Sequence, residues 1–269
     1  MAVRVLYIGE IVGKAGVYCV KKLLPKLKDE RKVDFVIANA EGATGGFGLG
    51  KNHSVYLHKL GIDVLTGGEC IYYKKDIVEH IDRVSFILRP ANYPPGNPGL
   101  GWRVYRQVDP PIAVVVMLGL SGFTRVHLSN PFTYLPELVQ RINQHTPLIL
   151  LDFHASATAE KYAMFHHADS KVSAVVGSHT KIMTADAQIF PGGTATICDA
   201  GRTGSQDSVV GLNPDIEIRK FLTQIPERSQ DSWKRLELQA VLIDIEDNGQ
   251  ASNIETVCVH CPDPEEHVG

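Results

Sequence analysis

The sequence lacks several features that would place it quickly in a class of protein. No apolar run approaches the ~20 residues that a membrane-spanning helix needs, and the longest, residues 112–120, has the length of a strand. No block of basic residues occurs and the formal net charge is −3, so the chain has no electrostatic signature for duplex nucleic acid. A small nucleotide or a short single strand needs only a few cations. We therefore expect neither a membrane nor a duplex as partner.

Cysteine is also scarce. The five cysteines are odd in number and scattered, and residues 1–9 run directly into a strand pattern without a secretory signal, so we expect a reducing, cytoplasmic environment. Cys258 and Cys261 have metal-like spacing, but no second Cys or His pair accompanies them, which favours a structural role. No repeat or linker interrupts the 269 residues. We predict a single domain over residues 1–269, with a disordered tail after about residue 262.

Buried strands alternate with helices along the chain, which is typical of an α/β fold. Apolar, β-branched runs predict strands at residues 3–8, 34–41, 63–66, 86–88, 102–107, 112–118, 148–154, 174–177, 236–245 and 254–259, and strand pieces at 182–190 and 193–199; helical spacing predicts helices at 17–27, 54–60, 74–81, 131–143 and 158–166. The glycine-rich loop at residues 42–50 matches neither a P-loop nor a dinucleotide fingerprint, so we interpret it as an active-site loop.

Charged residues follow five of the predicted strands, namely Glu10, Glu41, Glu69, His154 and His179. One such residue is more often a cap or a solvated end, but five coincide here. Because strand ends of an α/β sheet gather at one edge, we expect these side chains to share a pocket. A set of histidines and carboxylates suits Zn, Mn or Fe better than Mg, and such an ion acts as a Lewis acid or generates hydroxide for attack at phosphorus.

Several motifs resemble, in the same order and at matching separations, the YmdB-type branch of the calcineurin-like metallophosphoesterases. They are Gly-Glu-Ile-Val-Gly at 9–13, Asn-Ala-Glu-Gly-Ala at 39–43, Arg-Pro-Ala-Asn-Tyr-Pro at 89–94, Asp-Phe-His-Ala at 152–155, Val-Val-Gly-Ser-His-Thr at 175–180, Thr-Ala-Asp at 184–186, Gly-Thr-Ala at 193–195 and Asp-Ala-Gly-Arg-Thr-Gly at 199–204. The resemblance implies a four-layer αββα sandwich of two mainly mixed β-sheets flanked by helices. It also implies a dinuclear metal site, often iron, hydrolysis of 2′,3′-cyclic nucleotides, and a homo-oligomer.

The chain departs from that family at the metal positions. Glu10 stands where the family has aspartate, and Gly42 stands where it has asparagine. Gly68 and Glu69 replace a ligand asparagine and a proton-donating histidine, and Lys181 replaces the last histidine. Glycine has no ligating side chain, and an ammonium has no lone pair to give a metal. One of the two metal positions should therefore hold no ion.

From these departures we expect an altered site with one divalent Fe, Mn or Zn ion, or none. The remaining metal ligands implied by the resemblance are Glu41, His154 and His179, with Glu10 as a weaker ligand. The ammonium of Lys181 would substitute for the missing cation and neutralise Glu10 and Glu41. Glu69 becomes the candidate catalytic proton donor. That role requires a pKa well above ~4.3, which burial near carboxylates favours and a nearby cation opposes.

Arg89, Asn92 and Arg202 are candidates for phosphate binding, although Arg89 and Asn92 could equally pin a proline-rich loop. Two functions follow. The first is a metal-dependent phosphodiesterase with weak or lost hydrolase activity toward a small phosphorylated ligand or cyclic nucleotide. The second is an inactive pseudoenzyme that acts as a scaffold for an unknown protein partner or senses a nucleotide without cleaving it.

Overall fold

Strands and helices alternate through most of the chain. The structure is a computed structural model that describes residues 2–123, 127–262 and 264. In chain order its elements are β1 (Val3–Ile8), β2 (Glu10–Ile11), α1 (Gly13–Arg31), β3 (Phe35–Asn39), α2 (Lys51–Lys59), β4 (Val64–Thr66), α3 (Lys75–His80), β5 (Ile87–Leu88), β6 (Trp102–Tyr105), β7 (Ile112–Leu118), α4 (Pro131–Ile142), β8 (Leu148–His154), α5 (Thr158–Ala168), β9 (Ala174–Ser178), β10 (Gln188–Ile189), β11 (Ala195–Ile197), β12 (Arg202–Ser205), α6 (Pro214–Thr223), β13 (Leu236–Ile245) and β14 (Ala251–His260). Apart from Pro264, the predicted disordered tail lies outside the described residues.

The strands form two mixed sheets. The first has the order β2-β12-β13-β1-β3-β4-β5, and β14 pairs with β13. Within it β1, β3, β4 and β5 are parallel, whereas β13 is antiparallel to β1. The second sheet has the order β10-β11-β9-β8-β7-β6, in which the four central strands are parallel and both edge strands are antiparallel.

The alternation of side chains along β1 explains how the two sheets stack. Val3, Val5 and Tyr7 enter the core between the sheets, whereas Leu6 and Ile8 face the helices. A strand that is buried on both faces reads as a continuous apolar run, which is the pattern seen in the sequence. Helices α1, α2 and α3 cover the first sheet, and α4 and α5 cover the second. The predicted four-layer α/β sandwich is confirmed, and the shared central core favours the prediction of one domain.

The two sheets meet through a buried carboxylate at the edge where their parallel strands end. Asp152 of β8 accepts hydrogen bonds from the Tyr7 hydroxyl at 2.6 Å and from the Thr66 hydroxyl at 2.5 Å, and both donors belong to the first sheet. All three side chains are fully buried. The contact fixes the ends of β1, β4 and β8 relative to one another, which positions the loops that follow them.

The structure differs from the sequence-based assignment in several places. Helix α1 begins at Gly13 rather than residue 17, and of the strand pieces predicted over residues 182–190 only β10 forms, in which both residues are exposed. Residues 10–11 and 202–205, which lie outside the predicted strands, form the parallel pair β2 and β12. Within the described residues, no helix is long and apolar enough to cross a membrane. All five cysteines lie in the described ranges, and none of them forms a disulfide.

Candidate metal and phosphate site

The charged residues at the strand ends do meet, as the topology predicts. Glu10, Glu41, Glu69, His179 and Lys181 line a small pocket of about 100 Å³, which we call the catalytic pocket. His154, the last residue of β8, reaches it through a hydrogen bond of 2.8 Å between its Nε2 and Glu69 Oε2. These side chains come from the ends of parallel strands in both sheets, the usual place for a site in such folds.

A chain of hydrogen bonds fixes the ring of His154. The Ser178 hydroxyl donates to Asp152 Oδ1 at 2.7 Å, and it lies 2.8 Å from His154 Nδ1. A hydroxyl has one proton, so Ser178 must accept the hydrogen bond from Nδ1–H. His154 therefore turns Nε2 toward the catalytic pocket. Partners of this kind orient the ligating histidines of metal sites.

Glu69, whose side chain is 21% exposed, forms an ion pair with the fully buried His154. Burial acts to raise the pKa of Glu69, but the hydrogen bond and the positive charge of His154 outweigh it and lower the pKa to about 2. Burial acts to lower the pKa of His154, yet the hydrogen bond to Glu69 raises it to about 9. At neutral pH the proton therefore resides on His154. A proton donor at this position requires a pKa well above ~4.3, and in the absence of a metal Glu69 does not meet that requirement.

His179 completes a set of three groups with ligand atoms. Its Nδ1 lies 3.2 Å from His154 Nε2, and burial together with the charge of His154 lowers the pKa of His179 to about 4, so its ring is neutral. The ligand atoms of Glu69, His154 and His179 lie within 4.8 Å of one another. Two imidazoles and one carboxylate are a donor set that suits a single Zn, Fe or Mn ion. The residues present therefore fit one metal.

Glu41 is oriented differently from the sequence-based expectation, which grouped it with His154 and His179. Its carboxylate accepts backbone N–H groups from Gly68 and Cys70, and burial raises its pKa to about 7. Among the described residues, the ligand atoms of Glu41 lie within 4.8 Å of those of Glu69 and Cys70, and these three residues form a second candidate set of metal ligands. Burial also raises the pKa of the Cys70 thiol, so without a metal this group carries its proton at neutral pH.

Lys181 lies beside Glu10 on the other side of the pocket. Its Nζ is 2.9 Å from Glu10 Oε1, and the two side chains are 14% and 1% exposed. Burial raises the pKa of Glu10 although Lys181 opposes the shift, whereas Glu10 raises the pKa of Lys181 against the effect of burial. An ammonium thus contacts the carboxylate that the resemblance assigns to the second metal position.

Gly68 packs against the His154 ring. A Cβ built on Gly68 would lie 2.4 Å from both Nε2 and Cδ2 of that ring, which is fully buried. The ring therefore occupies the space that a side chain at position 68 would need. This contact would also oppose an asparagine, the residue of the family at this position.

Replacing Gly68 by alanine is accordingly expected to lower the free energy of unfolding by about 1–3 kcal/mol, the typical cost of overpacking. Thermal or urea unfolding in the presence of a chelator measures it. Gly50→Ala is the matched control, because Gly50 has an ordinary φ of −89° and its Cβ would meet Thr44 only at 3.3 Å. Equal stabilities of the two variants would contradict this packing argument.

The three phosphate-binding candidates make hydrogen bonds within the fold. Arg202 donates from Nε, Nη1 and Nη2 to the carbonyls of Ser205, Lys181 and Gln206 at 3.0, 2.9 and 3.2 Å. Arg89 donates to the carbonyls of Pro90 and Asn97, and Asn92 donates to those of Leu118 and Ser129. None of the three lines the catalytic pocket. These contacts match the alternative in which such residues pin loops, and Arg202 fixes the backbone of Lys181.

Sequence reasoning assigned no role to the residues that support the histidines. Asp152 lies two positions before His154 on the same face of β8, and that spacing could have indicated its role. Ser178 precedes His179 directly, at the end of β9. Phe123 stacks on the His154 ring with centroids 6.0 Å apart, and it meets the His179 ring edge-to-face at 5.1 Å. No local signal marks Phe123, because its contact depends on the fold.

Comparisons with known proteins agree with this architecture. A family model described as YmdB-like protein matches residues 6–257. The 2′,3′-cyclic-nucleotide 2′-phosphodiesterase of Bacillus subtilis (strain 168) is 38% identical over 258 residues, which cover 96% of this chain and 97% of the relative. A crystal structure of a novel phosphatase from Mycoplasma pneumoniae superposes with a TM-score of 0.91 at 30% identity, covering 98% of this chain and 95% of the other. A 5′-nucleotidase precursor from Thermus thermophilus shares the fold at a TM-score of 0.55 and 8% identity, covering 97% of this chain and 54% of the other.

Two packed mixed sheets, with histidines and carboxylates gathered where their parallel strands end, define a metallophosphoesterase fold. Within that class, the chain belongs to the YmdB-like family.

Proposed function

We propose that this protein binds the phosphate of a small phosphorylated ligand, such as a 2′,3′-cyclic nucleotide, at an altered centre with at most one divalent ion, and hydrolyses it weakly or not at all. The observation that carries the proposal is the contact of 2.9 Å between Lys181 Nζ and Glu10 Oε1. A buried ammonium at this place repels a second divalent cation and neutralises Glu10 without one.

The metal, when bound, would be held by His154 and His179 together with a carboxylate from Glu69 or Glu41. An Fe, Mn or Zn ion there supplies Lewis-acid polarisation of a phosphoryl oxygen and lowers the pKa of its water. Ser178 would keep His154 Nε2 directed at that position through its hydrogen bond of 2.8 Å to Nδ1. The remaining carboxylates and Lys181 would set the charge of the pocket.

Weak turnover is proposed because the proton needed by the leaving group is poorly placed. Hydrolysis of a cyclic phosphodiester forms a bond from a water oxygen to phosphorus and breaks one P–O ester bond, so the departing alkoxide requires a proton. The hydrogen bond and the charge of His154 lower the pKa of Glu69, and a bound cation would also lower it, so Glu69 carries no proton to donate. Cys70, next along the chain, lies in the same pocket, but burial raises its pKa and makes it a poor acid.

The second candidate is a pseudoenzyme that senses a nucleotide or serves as a scaffold for a protein partner. The same ion pairs favour it, because Lys181 and His154 already provide positive charges for Glu10 and Glu69 without any metal. We also propose, from the resemblance and the cysteine usage, that the chain forms a homo-oligomer and works in the cytoplasm. Light scattering on purified protein tests the subunit count.

An assay with 2′,3′-cyclic AMP and added Mn or Fe separates the two candidates. We expect slow turnover that His154→Ala abolishes, because the ring supplies a metal ligand that no other described side chain replaces. His166→Ala is the control, since this histidine is an exposed residue of α5 and lies outside the site. Binding without turnover under every metal would favour the sensor. Elemental analysis that finds two metals per chain would contradict both forms of the proposal.

A further inference from the structure

A second concavity, which we call the basic cleft, adjoins the catalytic pocket. It has a volume of about 840 Å³, and Lys14, Phe47, Lys74, Arg228 and Trp233 are among its lining residues. The catalytic pocket has about 100 Å³, whereas pockets that enclose a drug-sized ligand have roughly 300–1,000 Å³. The catalytic pocket therefore has room for a phosphate but not for a nucleoside, and the basic cleft has room for more than one.

The glycine-rich loop at residues 42–50 forms the wall between the two concavities. Phe47, at its tip, lines both of them and is 43% exposed. Its ring centroid lies 5.7 Å from Lys181 Nζ, the ammonium that contacts Glu10. A ligand whose phosphate occupies the catalytic pocket would therefore extend across the Phe47 ring into the basic cleft.

Three cations of the basic cleft are available to a ligand. Lys14 and Arg228 are exposed and Lys74 is half-buried, and none of the three forms an ion pair with the described carboxylates. The two acidic residues of the cleft have other partners. Asp231 accepts the backbone N–H of Lys14 at 2.8 Å, and Glu227 pairs with an arginine of α6 at 2.8 Å. The cleft thus presents a net positive surface.

Aromatic rings accompany these cations. Phe47 and Trp233 are 43% and 39% exposed, which is high for large aromatic side chains. A positively charged groove with exposed aromatic rings is the arrangement by which proteins bind single-stranded nucleic acid, because phosphates meet the cations and bases stack on the rings. A 2′,3′-cyclic mononucleotide whose phosphate occupies the catalytic pocket has no further phosphate for the three cations.

We propose that the basic cleft binds the nucleotides upstream of a terminal cyclic phosphate, so that the ligand class of this protein is short single-stranded RNA ending in a 2′,3′-cyclic phosphate. The inference rests on the proposed function, since the cyclic phosphate occupies the catalytic pocket. A 2′,3′-cyclic phosphate forms at the 3′ end of RNA, and the chain continues from the 5′ oxygen of that nucleotide. Upstream phosphates then reach Lys14, Lys74 and Arg228.

The test compares two ligands on the protein supplied with Mn, at low temperature and within a time in which no hydrolysis product is detected. A labelled RNA hexamer with a 2′,3′-cyclic phosphate is measured by fluorescence anisotropy, and 2′,3′-cyclic AMP by calorimetry. We expect the hexamer to bind at least about tenfold more tightly. Its log affinity should fall with log salt at a slope of about −2, because each neutralised phosphate of a single strand contributes about −0.7.

A variant with Lys14→Ala, Lys74→Ala and Arg228→Ala should bind the hexamer no better than cyclic AMP, and its salt slope should approach zero. The matched control removes three exposed cations outside the cleft by Lys59→Ala, Arg103→Ala and Arg106→Ala. It should keep the affinity for the hexamer. Melting temperatures of both variants verify that they fold.

Two outcomes overturn the inference, and they differ in what they say about the proposed function. If cyclic AMP binds and the hexamer binds no more tightly, or if the cleft variant behaves like the control variant, the cleft is not an RNA site and the proposed function stands. If a hexamer with a 3′-hydroxyl binds as well as the cyclic-phosphate hexamer and cyclic AMP does not bind, the terminal phosphate is not recognised and both proposals fail.

Discussion

Replacing Lys181 by methionine is expected to lower the free energy of unfolding by about 3–5 kcal/mol, the usual cost of leaving one member of a buried ion pair without its partner. The side chain of Glu10 is 1% exposed, and without the ammonium its charge has no counterion within contact distance among the described residues. The melting temperature in a chelator should fall by roughly 10 °C. Since burial raises the pKa of Glu10, the loss should be smaller in acid, where the carboxyl is neutral, and should grow as the pH rises.

The double variant Glu10→Gln with Lys181→Met is the control for this result. Removing both charges eliminates the unpaired carboxylate, so most of the lost stability should return, and the double-mutant cycle gives the energy of the pair. A double variant as unstable as the single variant would show that the methionine disturbs packing. In that case the ion pair would not explain the effect.

The second large effect is expected from Lys181→His. This change removes the ammonium and adds an imidazole beside Glu10 and Glu41, so metal content measured by elemental analysis should rise from at most one to two ions per chain. Turnover of 2′,3′-cyclic AMP should increase by about 100-fold or more, because a metal that polarises a phosphoryl oxygen lowers the activation barrier by several kcal/mol. Lys181 has a φ of 61°, and histidine is among the residues that tolerate this region.

Lys181→Arg separates the effect of charge from that of side-chain length. It retains the cation and should leave the metal content and the turnover at the values of the natural protein. If Lys181→His also binds at most one ion, the charge of Lys181 does not explain the loss of the second metal. Gly68 is left unchanged in this design, because a Cβ there would collide with the His154 ring.

The layers of the fold could be predicted from the sequence because each central strand is buried on both faces. Val3, Val5 and Tyr7 on one side of β1 and Leu6 and Ile8 on the other leave a continuous apolar run. Helix α6 was not predicted. Asn213 caps it by accepting backbone N–H groups, but its apolar residues Phe221 and Leu222 are 78% and 80% exposed, so no buried stripe marks it.

The meeting of the charged residues could likewise be predicted, because it depends only on where parallel strands end. The sequence did not predict which carboxylate faces the histidines. Glu41 turns to the backbone N–H groups of Gly68 and Cys70, and Glu69 takes the place beside His154. The sequence also left the direction of the Glu69 pKa open. These outcomes depend on side-chain rotamers and on contacts between distant segments, which carry no periodic signal.

Asp152 has a consequence for how the protein loses its site. The Tyr7 and Thr66 hydroxyls reach this carboxylate from one sheet, and Ser178 reaches it from the other before bonding to His154. A sliding of one sheet over the other by an ångström or two would break these bonds and release the imidazole from its orientation. The direction of His154 Nε2 therefore depends on the alignment of the two sheets. On heating or in denaturant, ligand binding should be lost once the two sheets slide relative to each other, before the secondary structure of either sheet is lost.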